Sequence, residues 1–264
     1  MLRTPQVSRI IQDAVSIICS ADCPPILSIS GLPGSGLSTA MDEIFKALKL
    51  KGFLHVYKIG QTVADIDVTP TEKLLRHFGF SWNHDAIRSS AARPLSEPIK
   101  ELARMLGPSI LLVEDYLNDA ASSDARAEYF KIWERLTTSP LDLRVALIGP
   151  NQSGNRVSKT RKPLRVDLWI EAWRHDQSLK DYLDELSVAI YRRFDLSTQL
   201  SRHAASIYNL SSGNTARMIE FIRQVAIHSV LTRSTEIPSH LFNLSLRELV
   251  YSNAHLHSSL AHLG

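Results

Sequence analysis

Nine residues near the N-terminus, Gly31-Leu-Pro-Gly-Ser-Gly-Leu-Ser-Thr39, carry the clearest chemical pattern of the chain. A loop that wraps a phosphate has the spacing G-x-x-x-x-G-K-[ST]. Gly31 and Gly36 supply its two glycines and Ser38 its hydroxyl, with Gly34 and Ser35 inside the loop and Thr39 following it. Leu37 stands where the lysine belongs. Backbone N–H groups of such a loop, together with the N-terminus of the next helix, cradle an anion without any side chain. Ser38 is placed to offer its hydroxyl to Mg²⁺. A leucine cannot bring a cation to the β and γ phosphates, either in binding or in the transition state. Losing an electrostatic contact of that sort costs on the order of 3 kcal/mol, roughly two decades in rate. The plainer reading of the loop is a glycine-rich turn joining a strand to a helix.

A second pattern is Ile110-Leu-Leu-Val-Glu114-Asp115. An apolar strand ending in two carboxylates suits a magnesium and water-activating site beside a phosphate loop. Glu114 falls on the metal side and Asp115 on the water side, the reverse of the usual Asp-then-Glu order. Glu114 is one methylene longer than the usual metal-side acid, and Asp115 one shorter than the usual base. Placement errors near 1 Å cost about a hundredfold. Taken alone, two such acids would be a solvated strand end.

Arg156, Lys159, Arg161, Lys162 and Arg165 form the densest basic cluster. Charges so grouped neutralise duplex phosphates without reading bases, although an ordinary solvated loop has the same composition. The net charge of +3 is too small to argue for nucleic acid by itself. Cys19 and Cys23 lie four apart with no histidine spacing to complete a zinc site, so they read as ordinary reduced thiols. Apolar residues make up 44% of the 264 and charged residues 22%, which is enough for a core. No apolar run approaches the roughly 20 residues that span a bilayer, and the N-terminus does not read as a leader. The expectation is a cytoplasmic protein without membrane contact.

The surrounding elements place these residues. Apolar positions at threes and fours predict a helix over 6–19, stopped by Pro24 and Pro25. Strands are predicted at 26–30, 53–59, 109–113, 143–148 and 164–170. Helices are predicted from the loop to Leu48, from Pro70 to His77, from Pro98 onward, and over 124–138. This alternation predicts a doubly wound α/β domain ending near residue 170. Beyond it, helices at 177–190, 199–209, 215–231 and 241–252 predict a separate helical domain with no strand. The division expected is 1–173 and 174–264.

The order of segments resembles the AAA+ transposition regulators of the TniB and TnsC group, and more distantly the Mu-phage B protein. Pro70-Thr-Glu-Lys-Leu-Leu-Arg-His-Phe-Gly79 is similar to the segment after the second strand in TniB-like proteins. Val145-Ala-Leu-Ile-Gly149 resembles the sensor strand, with Asn151 as the loose candidate for its polar residue. Arg165-Val-Asp-Leu-Trp-Ile-Glu-Ala-Trp173 resembles the start of the lid, and Gly213-Asn-Thr-Ala-Arg217 the entry of its sensor helix. The resemblance implies a P-loop NTPase (AAA+) three-layer domain with a parallel sheet, followed by a small all-helical lid. It implies that Arg165 faces nucleotide or a neighbouring subunit, that Arg217 reaches the phosphates, and that ATP and Mg²⁺ are the cofactors. In a ring, the 156–165 run would suit a pore loop on double-stranded DNA. Leu37 and the Glu114-Asp115 order depart from the family at the chemistry.

Three functions follow as expectations. The first is a transposition regulator or adaptor that binds target DNA non-specifically and a partner transposase or transposition adaptor, with little ATP hydrolysis and self-association as a homo-oligomer. The second is a DNA-stimulated ATPase in which another cation replaces the lysine. The third is a protein-interaction module independent of nucleotide.

Overall fold

The computed structural model describes residues 4–20, 26–60, 77, 97–106, 109–114, 131, 133–135, 137–138, 143–150 and 165–261. They fall into two compact units, Gln6–Pro33 with Leu37–Ile170, and Met1–Pro5 with Gly34–Gly36 and Glu171–Gly264.

The first unit is built on a sheet. Helix α1 (Pro5–Cys19) precedes β1 (Ile26–Gly31), α2 (Leu37–Leu50) and β2 (Val56–Ile59). Helix α3 (Glu97–Leu106), β3 (Ile110–Glu114), β4 (Arg144–Pro150) and β5 (Arg165–Ile170) follow. The strands run in the order β2-β3-β4-β1-β5 and every pairing is parallel. Strand β1 lies beside β4, and β4, with β3 next to it, is central.

Apolar runs without alternation produce this sheet because both its faces are covered. Leu27, Ile29, Ile110, Leu112, Ala146 and Ile148 share one cluster with the inner faces of α1 and α2. Their alternates Ile26, Leu111, Val113, Val145 and Leu147 are equally buried. Helix α1 spends Val7, Ile10, Ile11, Ala14, Val15 and Ile18 on the core. Arg144 of β4 donates to the carbonyl of Ile18 at 2.6 Å, satisfying an orphan acceptor at the end of α1.

Strand β2 starts three residues later than the strand predicted at 53–59, because the end of α2 claims the chain first. Gly52 N–H bonds the Lys49 carbonyl at 3.0 Å and Phe53 N–H that of Leu48 at 3.2 Å. That double closure, with Gly52 at φ +88°, is a Schellman stop. The expected helix from Pro70 lies outside the described residues except His77, and the 124–138 helix is described only in part, with Trp133 fully buried.

The second unit is helical: α4 (Gln177–Phe194), a 3-10 turn (Leu200–His203), α5 (Ala204–Ser211), α6 (Thr215–Leu231), a 3-10 turn (Ser239–Asn243) and α7 (Leu246–Ala261). Its core gathers Leu179, Leu183, Ile207, Phe221, Val225, Phe242 and Leu249 among others. Helix α4 starts on Asp176, whose carboxylate accepts from Leu179 N–H, and runs four residues past its predicted end to Asp195 in the left-handed region. The last helix was expected at 241–252 and instead begins at Leu246. Ser245 and Glu248 bond each other's backbone N–H reciprocally, a capping box that sets the start there.

Candidate nucleotide site

Strand β1 ends at Gly31 and α2 begins at Leu37, so the glycine loop spans the strand-to-helix turn that phosphate binding demands. Gly34 at φ +80° and Gly36 at φ +102° adopt left-handed backbone that a side chain would resist. Ser35 between them is 5% exposed, and its Oγ has no hydrogen-bond partner. A buried hydroxyl left unpaired costs about 1–3 kcal/mol, so the loop carries unspent donor capacity. Ser38 is exposed and Thr39 half-buried in the first turn of α2.

Leu37 points its chemistry elsewhere. Its side chain is half-buried against the cluster that α1, α2 and the sheet build together. The position that would deliver a cation to an anion is anchored in apolar packing.

Glu114 closes β3 in register with Ile148 of β4, and Gly31 lies opposite Pro150 of the same strand. Two strand spacings, about 10 Å, therefore separate the strands carrying Glu114 and the loop, with the loop about 7 Å farther toward the carboxyl edge. The Glu114 carboxylate lies 3.8 Å from where a Cβ on Gly60, just past β2, would sit. Asp115, Asn151, Arg156, Lys159, Arg161 and Lys162 lie outside the described residues, and Arg165 is described only by its backbone, as the first residue of β5.

Within the helical unit, the carbonyl of Gly34 accepts from Ala216 N–H at 3.0 Å. A Cβ on Gly34 would come within 2.7 Å of the Ala216 Cβ and 3.0 Å of Asn214 Oδ1. Asn214 caps α6 by accepting from Arg217 N–H at 3.1 Å. The Arg217 side chain is exposed. The nearby acid Glu220 is committed to Arg223, with two bonds of 2.9 Å, and to Gln224. The Arg223 guanidinium, then the Gln224 amide, hold the Glu220 carboxyl below its ordinary range.

Gly213 turns the chain ahead of that cap at φ +71°, and its carbonyl accepts from Trp173 N–H at 2.9 Å. A Cβ there would lie 2.5 Å from the Trp173 carbonyl oxygen. Trp173 stacks on Tyr182 at 5.0 Å and is buried in the helical core. Sequence reasoning passed over Asn214 and the Gly34 contact. An asparagine before Thr-Ala-Arg was the available cue for the first, and nothing local signals the second.

No group of three or more metal-ligating side chains occurs among the described residues, and no described helix is long and apolar enough to cross a membrane.

A parallel sheet in this order, a glycine loop leaving β1 at its carboxyl edge and an acidic end on β3 define the AAA+ P-loop NTPase fold. Solved structures agree. Cdc6p from Pyrobaculum aerophilum matches 90% of this chain over 65% of its own, with TM-score 0.58 and 13% identity. The Orc1 protein of Aeropyrum pernix, solved in complex with DNA, matches 93% of this chain over 64% of its own, with TM-score 0.58 and 15% identity. The Thermotoga maritima RuvB Holliday junction branch migration motor matches 89% over 66%, with TM-score 0.52 and 15% identity. The chain thus spans just under two thirds of these proteins. No family model and no curated protein sequence matches it.

Proposed function

We propose that this chain is a DNA-associated AAA+ regulator of the TniB and TnsC kind, in which the glycine loop holds a nucleotide by its backbone and hydrolyses it slowly or not at all. The carrying observation is the split inside one loop. In favour of an anion cradle, Gly34 and Gly36 stand at positive φ and the Ser35 hydroxyl is buried and unspent. Where the lysine belongs stands Leu37, half-buried against the core cluster. On this reading the backbone N–H groups of the loop and the first turn of α2 would hold an ATP phosphate chain, Ser38 and Glu114 would meet Mg²⁺, and Arg217 is the candidate arginine. When bound, the nucleotide would supply a charged ligand that orders the loop.

DNA contact is supported by the sequence cluster Arg156, Lys159, Arg161 and Lys162, and by the fold shared with an Orc1 solved on DNA. The family resemblance supports a transposase or transposition adaptor as partner, self-association through the Arg165 edge, and the division into an AAA+ domain to residue 173 with a lid from 174.

The test is titration of purified protein with MgATP and MgADP by calorimetry, followed by phosphate release with and without duplex DNA. Micromolar binding with turnover below about 0.01 s⁻¹, against the 1 s⁻¹ and above typical of working enzymes, is the expected result. Fast DNA-stimulated turnover would instead establish the substitute-cation ATPase. No binding at millimolar nucleotide would leave the interaction module, which the inward Leu37 favours.

A further inference from the structure

Helix α4 presents a self-complementary outer face. At about 100° per residue, Asp181, Asp184, Glu185, Val188, Tyr191 and Arg192 all lie within roughly 60° of the Val188 direction, opposite the buried Leu179. Each of these six is exposed. Val188 is 51% and Tyr191 56% exposed, two large apolar groups on the outside of a helix that already has a full inner face. The charges are sorted along the helix. Acids occupy the amino-terminal half of this face, and Arg192, with Arg193 beside it, the carboxyl-terminal end.

We infer that this face pairs with the same face of a second copy, as two antiparallel α4 helices related by a two-fold axis at Val188. A two-fold there sets residue 188 + n of one copy against 188 − n of the other. Arg192 meets Asp184 of the partner copy, and symmetry makes that pair twice. Tyr191 covers the stem of Glu185, and the two Val188 side chains meet on the axis. Asp181 and Asp195 are the like pair a further turn out, where helices crossing at 20–50° have separated by several ångströms. Closed two-fold contacts of this isologous type are the commonest form of self-association. One helix pair is smaller than the roughly 800 Å² per partner of a standard interface, so the dimer is weak, with dissociation in the range of about 10–500 µM. It needs neither nucleotide nor DNA.

The test uses the full chain without either ligand, in a Cys19→Ser, Cys23→Ser background. Sedimentation at 10–500 µM should show a monomer–dimer equilibrium that weakens with salt. Val188→Cys should form an intermolecular disulfide under mild oxidation, since only a residue on the axis brings its own copy within the 3.5–4.5 Å Cβ separation required. Val230→Cys, 51% exposed on α6, is the control and should not. Arg192→Glu and Asp184→Arg should each weaken association about tenfold, and together restore it to within about threefold. Circular dichroism checks that these surface variants fold. A chain that stays monomeric to 500 µM overturns the inference. So does crosslinking at 188 no faster than at 230, or charge reversal without effect. If Arg192→Glu abolishes retention on DNA and leaves association untouched, this face is a nucleic-acid surface and the dimer is excluded.

Discussion

Replacing Leu37 by lysine sets two terms against each other. The leucine is half-buried against the α1–α2–sheet cluster. Full burial of a leucine is worth about 1.5–3 kcal/mol, so losing half of it costs roughly 1 kcal/mol, and the lysine stem recovers part. The ligand-free variant should therefore melt about 2–4 °C lower. Once phosphate is present, the ammonium gains a charge-assisted bond worth about 1.5–3 kcal/mol, which is about 10–100-fold in affinity. MgATP at a hundred times its dissociation constant returns about 2.7 kcal/mol of stability, so the variant should overtake the parent in melting temperature only with nucleotide. Calorimetry on the parent, Leu37→Lys and Leu37→Met separates charge from volume. Exchanging Glu114 and Asp115 in the lysine background then asks whether turnover follows. If Leu37→Lys binds ATP no tighter than Leu37→Met, position 37 does not reach the phosphates and the charge argument fails; if none of the three binds at millimolar nucleotide, the loop is a structural remnant, and the nucleotide reading goes with it.

Neutralising Lys159, Arg161 and Lys162 together should weaken binding to all duplexes about equally and lower the salt slope by up to about 2.7, read by fluorescence anisotropy at several salt concentrations. Gly213→Ala sets a Cβ 2.5 Å from the Trp173 carbonyl at φ +71°, whereas Gly52→Ala at φ +88° meets nothing within 4 Å. The first should cost about 2–4 kcal/mol and the second about 1 kcal/mol by thermal melting, and equal losses would mean that the contact is relieved elsewhere. His203 stacks on Phe242 at 4.1 Å, and burial, then the Arg202 charge, lowers its pKa from 6.5. The unfolded chain takes up that proton first, so the stability this residue supplies is present above about pH 6.5 and lost as pH falls toward the folded value. His203→Phe should flatten the decline in melting temperature between pH 7 and 5.5, and an unchanged decline would assign it to other groups.

The sheet was legible because burial on both faces writes itself into sequence as unbroken runs such as Ile110–Val113, and because crossover connections force parallel pairing. Boundaries failed where backbone closure outweighed pattern. The strand expected from Phe53 loses its start because Phe53 N–H closes the Schellman stop at Gly52, and sheet bonding begins only at His55, whose carbonyl accepts from Ile110 N–H. The last helix follows the Ser245–Glu248 box, which was readable, and not the apolar residues from Leu241, which form a separate turn. At the site, the glycine spacing revealed the cradle, and the missing lysine was plain. That Leu37 turns into the core depends on packing around it, and the approach of Gly34 to Ala216 joins residues far apart in the chain.

Asn253 on α7 spends its amide on the carbonyl and the Oε1 of Gln224 on α6, both at 2.9 Å and both acceptors. Its own Oδ1 is thereby left to accept, and it lies 3.0 Å from Nδ1 of His228. A neutral His228 must then carry its proton on Nδ1 and leave Nε2 bare. The tautomer of one imidazole is written by how two helices meet, so nitrogen-15 shifts of His228 offer a local gauge of whether α7 is seated on α6.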